Sequence, residues 1–272
     1  MPGPAWIVLP TYNEAANLEP LVAAVRAALP GAHVLVVDDG SPDGTGAIAD
    51  RLAAAHDEVH VLHRPRKAGL GLAYVRGFAH ALAAGAGYVI EMDADFSHDP
   101  ADLPRLVEAA EAGADVVLGS RYVPGGGVRD WDLLRRGISR AGCRYARGVL
   151  GVGVRDLTGG FKCFRADALG AIDFETARSE GYAFQVELTY RALARGLRVR
   201  EIPIVFRERE RGESKMSARI ALEAMWLVPA LRVARRRDGL PEAPGSGEPG
   251  ALPVVGPERG STEPGSVPIQ ET

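Results

Sequence analysis

The chain has little cysteine, no long apolar run and no excess of positive charge. Its 272 residues include only Cys143 and Cys163, too few for a disulfide framework and without the paired spacing of a zinc site. No eighteen consecutive residues are apolar and free of charge, so we expect no membrane-spanning helix. Lys and Arg number 32 against 35 Asp and Glu, and this net charge of −3 gives no global attraction for nucleic acid.

Several sequence signatures are also missing. The N-terminus has no basic segment followed by a long apolar one, so no signal peptide is predicted and a cytoplasmic, reducing setting is expected. No G-x-x-x-x-G-K-[ST] or G-x-S-x-G motif occurs, which argues against P-loop hydrolysis and against a serine hydrolase of that type. The segment GLGLAY at 69–74 begins like a dinucleotide fingerprint, but Tyr74 stands in place of the third glycine.

The pattern that is present predicts an α/β fold with a mostly parallel sheet flanked by helices. Val- and Ile-rich runs alternate with Ala- and Leu-rich helical stretches, as expected when strands are buried on both faces. The predicted strands are Trp6–Pro10, His33–Gly40, Val59–Arg64, Tyr88–Asp95, Asp115–Arg121 and Val199–Phe206. The predicted helices are Ala15–Leu29, Thr45–His56, Leu72–Ala84, Asp102–Ala112, Trp131–Leu150 and Tyr182–Ala194.

The chain is predicted to form a single domain with a disordered C-terminal tail. Residues 1–215 form the predicted catalytic domain, and 216–237 a C-terminal helix with apolar residues followed by arginines. That helix could lie at an anionic membrane surface or simply cover the sheet. Residues 238–272 are rich in Gly and Pro without a hydrophobic period, which predicts a disordered tail.

Polar residues collect where the predicted strands end, and the most acidic of these segments is MDADFSHDP at 92–100. On a regular strand Asp93 and Asp95 would share a face, and their repulsion favours a divalent cation bound by hard oxygen ligands such as Mg²⁺ or Mn²⁺. Alternatively, the segment is a solvated turn in which Asp99 caps the next helix. In a mostly parallel sheet such strand ends line one ligand crevice, near which Asp39 is placed to accept hydrogen bonds from a base or ribose.

Basic residues that suit phosphate binding come later in the chain. Arg135, Arg136, Ser139 and Arg140 fall within about one and a half turns of a predicted helix. A second group follows the last predicted strand, in ERERGESK at 208–215. The alternating charges of this second group could equally form a salt-bridged surface.

Six ordered segments resemble the polyprenol (dolichyl) phosphate mannosyltransferases, which are family 2 glycosyltransferases with a GT-A fold. The segments are PTYNE at 10–14, VDDGSPDGT at 37–45, GLG at 69–71, MDADFSH at 92–98, GSRY at 119–122 and GESKM at 212–216. The resemblance implies transfer of mannose from GDP-mannose to a polyprenyl phosphate with inversion, giving a β-mannosyl product and GDP.

The resemblance also implies a set of site residues. The guanosine part of the donor is assigned to Pro10, Tyr12, Glu14, Val37 and Asp39, and the ribose and diphosphate to Asp93, Ala94 and Asp95. The metal, Mg²⁺ or Mn²⁺, is assigned to Asp95 and Ser97, although some relatives place Gln at the second position. Phosphate and donor contacts are assigned to Arg121, Arg135, Arg209 and Lys215, and the acceptor phosphate to Ser139, Arg135 and Arg209. Among these, Asp95, Arg121, Arg209 and Lys215 are the predicted catalytic residues.

The chemistry of this reaction fits such residues. The leaving group is a nucleoside diphosphate, whose charge a cation and Arg or Lys side chains can stabilise. The nucleophile is a phosphate oxygen that is already largely ionised near neutral pH, so no carboxylate is predicted to be an indispensable general base.

Two other functions remain open at this stage. One is a related transferase that uses UDP-glucose or another nucleotide sugar, and the other is a non-catalytic nucleotide-sugar binding subunit of a membrane complex. The acceptor is a membrane lipid, so we expect a peripheral protein at the cytoplasmic face, with a membrane-protein partner possible.

Overall fold

A computed structural model describes residues 3–177, 179, 181–208, 226 and 228–233. The strands are β1 (Ala5–Thr11), β2 (His33–Asp38), β3 (Val59–His63), β4 (Tyr88–Glu91), β5 (Val116–Ser120), β6 (Gly127–Val128), β7 (Lys162–Arg165), β8 (Val199–Pro203) and β9 (Val205–Phe206). The helices are α1 (Ala15–Ala28), α2 (Thr45–Ala55), α3 (Leu70–Ala83), α4 (Leu103–Glu111), α5 (Leu133–Leu150), α6 (Ala166–Ala171) and α7 (Gly181–Ala194). Short 3₁₀ helices lie at Pro100–Asp102 and Phe174–Thr176.

Within these residues the main sheet has seven strands in the order β3-β2-β1-β4-β7-β5-β8. Only β7 is antiparallel to its neighbours, β4 and β5, and the other pairs are parallel. Core residues cover both faces of the sheet, which explains the continuously apolar strands. The predicted α/β fold with a mostly parallel sheet is confirmed.

The sheet register brings the polar strand ends together. Thr11 at the end of β1 lies opposite Asp38 at the end of β2, and Val8 of β1 lies opposite Glu91 at the end of β4. The carboxyl ends of these three parallel strands therefore form one edge, where α/β sheets bind ligands.

The predicted strand Tyr88–Asp95 is too long, because β4 ends at Glu91. Beyond it the backbone turns: the Asp95 carboxylate accepts the Ser97 N–H at 3.0 Å, and Phe96 has a φ of 61°. Asp93 and Asp95 consequently belong to a compact loop, and the predicted strand on which they would share one face does not extend to them.

The glycines at 69–71 have a packing role. Gly69 has a φ of 98° just before α3, and a Cβ on Gly71 would lie 2.6 Å from the Ser179 carbonyl oxygen. Gly69 therefore permits the backbone turn into α3, and Gly71 permits close packing of α3 against the Ser179 backbone.

The described part of the C-terminal segment packs against the domain. Val228 is buried, Leu231 packs against the core, and Arg232 Nη1 donates to the Val149 carbonyl at the end of α5. Most of the predicted helix 216–237 and the whole predicted tail 238–272 lie outside the described residues, so those boundaries stay predictions. Among the helices that the structure describes, none is long and apolar enough to cross a bilayer.

Candidate active site

The loops after β1 and β2 form the nucleotide side of the crevice. The Asp38 carboxylate accepts hydrogen bonds from the hydroxyls of Thr11 at 3.0 Å and Ser41 at 2.6 Å, so it holds the two loops together. Asp39 is buried and accepts from Arg64 Nη1 at 2.6 Å and the Ala68 N–H at 3.3 Å. Burial raises the pKa of Asp39, although the Ala68 N–H and Arg64 oppose the shift.

The remaining residues assigned to guanosine surround this point. Tyr12 lies beneath Lys67, whose Nζ is 4.2 Å from the ring centroid. Glu14 is the N-cap residue directly before α1, and its side chain accepts from Asn17 Nδ2 at 2.9 Å. Val37 is fully buried in β2 and Pro10 is half-buried in β1. These two residues would therefore contact a ligand mainly through their backbone atoms.

The loop after β4 is fixed by two aromatic side chains. The Tyr74 hydroxyl donates to the Asp93 carboxylate at 3.3 Å, and the Asp93 N–H donates to His98 Nδ1 at 3.2 Å. Burial lowers the pKa of His98, which suits an acceptor role for its ring nitrogen. The ring stacks on Phe161 with centroids 4.8 Å apart, so the loop backbone is held before any ligand binds.

Asp95 and Ser97 are the residues assigned to the metal, and the hydroxyl oxygen of Ser97 has no hydrogen-bond partner among the described residues. Asp95 is 3% exposed and Ser97 is 1% exposed. The Ser97 hydroxyl is buried without a hydrogen-bond partner in the described part of the chain, which is unusual for a buried polar atom. A bound cation would satisfy that oxygen, so this pair fits a Mg²⁺ or Mn²⁺ ion.

The donor set for such an ion is small. Across the described residues no group of three or more His, Cys, Asp or Glu side chains is arranged to hold a metal. Mg²⁺ is commonly bound through one or two carboxylates together with substrate phosphates and waters. The residues present therefore fit a cation whose coordination a diphosphate completes.

Arg121, at the end of β5, is held by Asp156. Its Nε and Nη2 donate to the two carboxylate oxygens at 2.7 Å each, and its backbone N–H donates at 2.9 Å. Nη2 also donates to Thr158 Oγ1 at 2.8 Å. Burial would raise the pKa of Asp156, but the charge and N–H groups of Arg121 outweigh it and the pKa is lowered. The pair is therefore ionised at neutral pH.

The first half of α5 carries Arg135 and Ser139, two of the three residues assigned to the acceptor phosphate. Asp132 caps the helix by accepting the Arg135 N–H at 2.6 Å, and Arg135 Nη1 donates to Glu208 at 2.5 Å. Ser139 accepts a hydrogen bond from the Tyr122 hydroxyl at 2.7 Å. Because Tyr122 follows Arg121, this bond joins the α5 residues to the end of β5.

Several site residues were not found from the sequence. Asp156, Tyr74 and His98 had no predicted role, and Arg64 was not recognised as the partner of Asp39. A buried arginine at a strand end requires a carboxylate partner, but the sequence does not say which one. Arg209 and Lys215 lie outside the described residues, and their roles stay predictions.

Comparisons with known proteins identify the family to which this chain is similar. The family model described as glycosyl transferase family 2 matches residues 6–172. A polyprenol monophosphomannose synthase of Mycolicibacterium smegmatis is 51% identical over 233 residues, covering 85% of this chain and 88% of that protein. An undecaprenyl-phosphate mannosyltransferase of Micrococcus luteus is 50% identical over 233 residues, covering 86% of this chain and 96% of that protein.

A solved structure supports the fold. Glucosyl-3-phosphoglycerate synthase from Mycobacterium tuberculosis, in complex with Mn²⁺, UDP-glucose and phosphoglyceric acid, is similar with a TM-score of 0.61. The sequence identity is 19%, and the match covers 89% of this chain and 81% of that one. At this identity the likeness concerns the fold alone, and the predicted GT-A fold is confirmed.

Proposed function

The chain belongs to glycosyl transferase family 2, and we propose that it transfers mannose from GDP-mannose to a polyprenyl phosphate with inversion. The protein is a glycosyltransferase that moves mannose onto a polyprenyl phosphate, the activity for which its half-identical relatives are named. That similarity, extending over 85% of the chain, is the observation that carries the function. GDP as the donor nucleotide and the β configuration of the product are our proposal.

On the donor side, the described residues bind and orient rather than exchange protons. Asp39 and the loops of β1 and β2 receive the guanosine, and the Asp93 loop, braced by Tyr74 and His98, receives the ribose and diphosphate. Asp95 and Ser97 would hold a divalent cation, which supplies positive charge for the departing diphosphate. Arg121, fixed by Asp156, supplies a guanidinium directly after β5, which β7 separates from β4 in the sheet.

On the acceptor side, Arg135 and Ser139 receive the lipid phosphate. The phosphate is the nucleophile and carries its own negative charge, so the protein aligns it rather than deprotonating it. A carboxylate base is not required. Arg209, outside the described residues, is assigned to the donor and to the acceptor phosphate, and Lys215, also outside them, is assigned to the donor.

The outer face of α5 supports a peripheral position on the membrane. Large apolar side chains there are exposed: Leu133 by 84%, Leu134 by 74% and Ile138 by 50%. The helix also carries five arginines and no acidic residue. An apolar face with a basic border suits an anionic bilayer surface, and this helix also presents Ser139 to the site. We propose that α5 lies on the cytoplasmic face of the membrane that contains the acceptor.

One assay tests the proposed function. The purified full chain is incubated with GDP-mannose and a short polyprenyl phosphate, with Mg²⁺, Mn²⁺ or EDTA, and the product is detected by mass spectrometry. We expect a polyprenyl phosphomannose that requires metal. Turnover with UDP-glucose but not with GDP-mannose would contradict the donor assignment. Binding of nucleotide sugar without turnover of any donor, even in native membranes, would indicate a non-catalytic subunit.

A further inference from the structure

Trp131 is a buried residue with an unsatisfied donor beside the acceptor side of the site. It lies between β6 and α5 and is 7% exposed. Its indole Nε1–H is buried without a hydrogen-bond partner among the described residues. Buried tryptophan N–H groups normally find an acceptor, and leaving one unpaired costs free energy. The missing acceptor is therefore a feature that requires an explanation.

The surroundings of Trp131 are rich in donors and cations. The Arg135 guanidinium carbon lies 4.3 Å from the Trp131 ring centroid, and that of Arg121 lies at 5.6 Å. Arg135 Nε is likewise buried without a partner in the described ranges, although its Nη1 binds Glu208. Two unsatisfied N–H donors thus belong to side chains in direct contact. Such a combination is complementary to an anion with several acceptor oxygens.

An unsatisfied indole is not sufficient by itself. Trp6, at the start of β1, also has a buried Nε1 without a described partner, but histidine rings surround it. Trp131 differs because its neighbours are two arginines, one of which belongs to the helix that carries Ser139. This difference favours an anionic ligand as the acceptor for the Trp131 N–H.

We propose that Trp131 is a further binding residue for the acceptor phosphate: its indole N–H donates to a phosphate oxygen while its ring supports the Arg135 guanidinium. This inference rests on the proposed function, which assigns the acceptor phosphate to Arg135 and Ser139. Arg135 and Trp131 are joined by a cation–π contact, an arrangement that limits the freedom of the long arginine side chain.

Trp131 also connects the acceptor side to the donor loop. Its ring packs edge-on against Phe206, with centroids 5.5 Å apart, and Phe206 packs edge-on against His98 at 5.4 Å. His98 accepts the Asp93 N–H. Trp131 is therefore connected through the Phe206 ring to the loop assigned to the donor diphosphate.

The variant Trp131→Phe tests the hydrogen bond, because phenylalanine keeps an aromatic ring for Arg135 and removes the N–H. We expect the KM for polyprenyl phosphate to rise about ten- to hundredfold, as for the loss of a hydrogen bond to a charged group. The KM for GDP-mannose should change less than about threefold, since the proposal places this N–H on the acceptor phosphate and not on the donor. The control is Trp6→Phe, which also removes a buried indole N–H but at the amino-terminal end of β1, far from the strand ends that form the site. It should leave the KM for polyprenyl phosphate unchanged.

Binding is measured separately from turnover. Calorimetric titration of farnesyl phosphate into the full chain without donor should give a Kd about tenfold or more weaker for Trp131→Phe than for the original protein. Trp131-dependent binding without product formation would leave the phosphate site standing and reject the proposed function. An unchanged acceptor KM in an active Trp131→Phe enzyme would overturn the site and leave the function standing. An increase confined to the GDP-mannose KM would also overturn it.

Discussion

The Asp156 carboxylate and the Arg121 guanidinium form a two-point ion pair whose side chains are 0% and 4% exposed. The pair joins the end of β5 to the loop before β7. Arginine is suited to this arrangement because its planar fork matches a carboxylate. The same guanidinium is assigned to phosphate, so its orientation is set before substrate arrives.

Asp156→Asn should be strongly destabilising. It leaves the Arg121 charge buried without its counter-ion, a loss that costs about 3–5 kcal/mol in comparable pairs. The free energy of unfolding in urea measures it. Asp167→Asn is the matched control, because Asp167 makes a similar two-point contact with Arg165 but is 71% exposed, and such pairs contribute about 1 kcal/mol or less. Equal losses in both variants would contradict the special role of Asp156.

Asp95 and Ser97 should differ in how they affect metal dependence. Asp95→Asn should abolish most turnover at any metal concentration, since it removes the only carboxylate assigned to the ion. Ser97→Ala should stay active but need about tenfold more Mn²⁺ for half-maximal rate, because a neutral hydroxyl is the weaker ligand.

Asp99→Asn provides the control for that pair. Asp99 caps the 3₁₀ helix at Pro100–Asp102 by accepting the Ala101 N–H, and it contacts Arg207 at 3.3 Å. Asparagine can cap equally well, so the rate and the metal requirement should stay close to those of the original protein. A metal requirement that shifts with Asp99→Asn and not with Ser97→Ala would place the ion elsewhere.

The outer face of α5 should control membrane binding. Leu134→Glu with Ile138→Glu should reduce co-flotation with anionic vesicles by about tenfold or more, since each large apolar side chain contributes roughly 1.5–3 kcal/mol when buried. Activity on a short, water-soluble polyprenyl phosphate should persist. Leu72→Glu is the control, because Leu72 is exposed on α3 at 45% and lies outside the proposed membrane face. Equal loss of flotation in both would reject α5 as the membrane surface.

The buried ion pair between β4 and β7 should contribute to stability in a coupled, non-additive way. Lys162 Nζ lies 3.8 Å from Glu91 Oε2, both side chains are fully buried, and Nζ also donates to the Gln185 carbonyl at 3.0 Å. Burial raises the pKa of Glu91 to about 7 and lowers that of Lys162 to about 8, because each charge loses water. Either single change, Glu91→Gln or Lys162→Met, leaves one buried polar group without its partner.

A double-mutant cycle tests that coupling. Each single variant should lose about 3 kcal/mol of unfolding free energy, and the double variant should lose at least about 1 kcal/mol less than the sum. Urea unfolding at pH 7.5 measures all four proteins. Strict additivity would show that the two groups do not stabilise each other.

Much of the fold and part of the site followed from local pattern. The apolar runs predicted the parallel strands, and the polar residues at the ends of β1, β2 and β4 predicted the edge at which they meet. The role of Asp99 as a cap also followed, because Asp before Pro is a local signal for a helix start.

Other features depend on contacts that are distant in sequence. The reversed strand β7 was not predicted, since its four residues, KCFR, form no long apolar run and carry no sign of strand direction. The partners Arg121 and Asp156 are 35 positions apart, and Asp39 and Arg64 are 25 apart. Beyond the early end of β4, Asp93 is held by hydrogen bonds with Tyr74 and His98 that only the folded chain makes.

A histidine cluster near the amino-terminal ends of β1 and β2 should lower the free energy of unfolding as the pH falls. His33 Nδ1 and His60 Nε2 lie 2.9 Å apart, both rings stack on Trp6 at 4.6 Å, and His80 contacts the same indole. One of the two nitrogens must donate and the other accept, so protonating both would place two N–H groups face to face. Burial lowers the pKa of His60 below 6.5, and the positive charges of His33 and His80 act in the same direction.

The sign of the effect follows from proton uptake. At pH values just below 6.5 the unfolded chain binds a proton at His60 that the folded chain resists, so the free energy of unfolding should decrease as pH falls through that range. His60→Gln keeps a hydrogen-bonding side chain without the titration. Its unfolding free energy should therefore change less between pH 7.5 and pH 5.5 than that of the original protein, as measured by urea unfolding at each pH. Parallel curves for the two proteins would mean that His60 does not link protonation to folding.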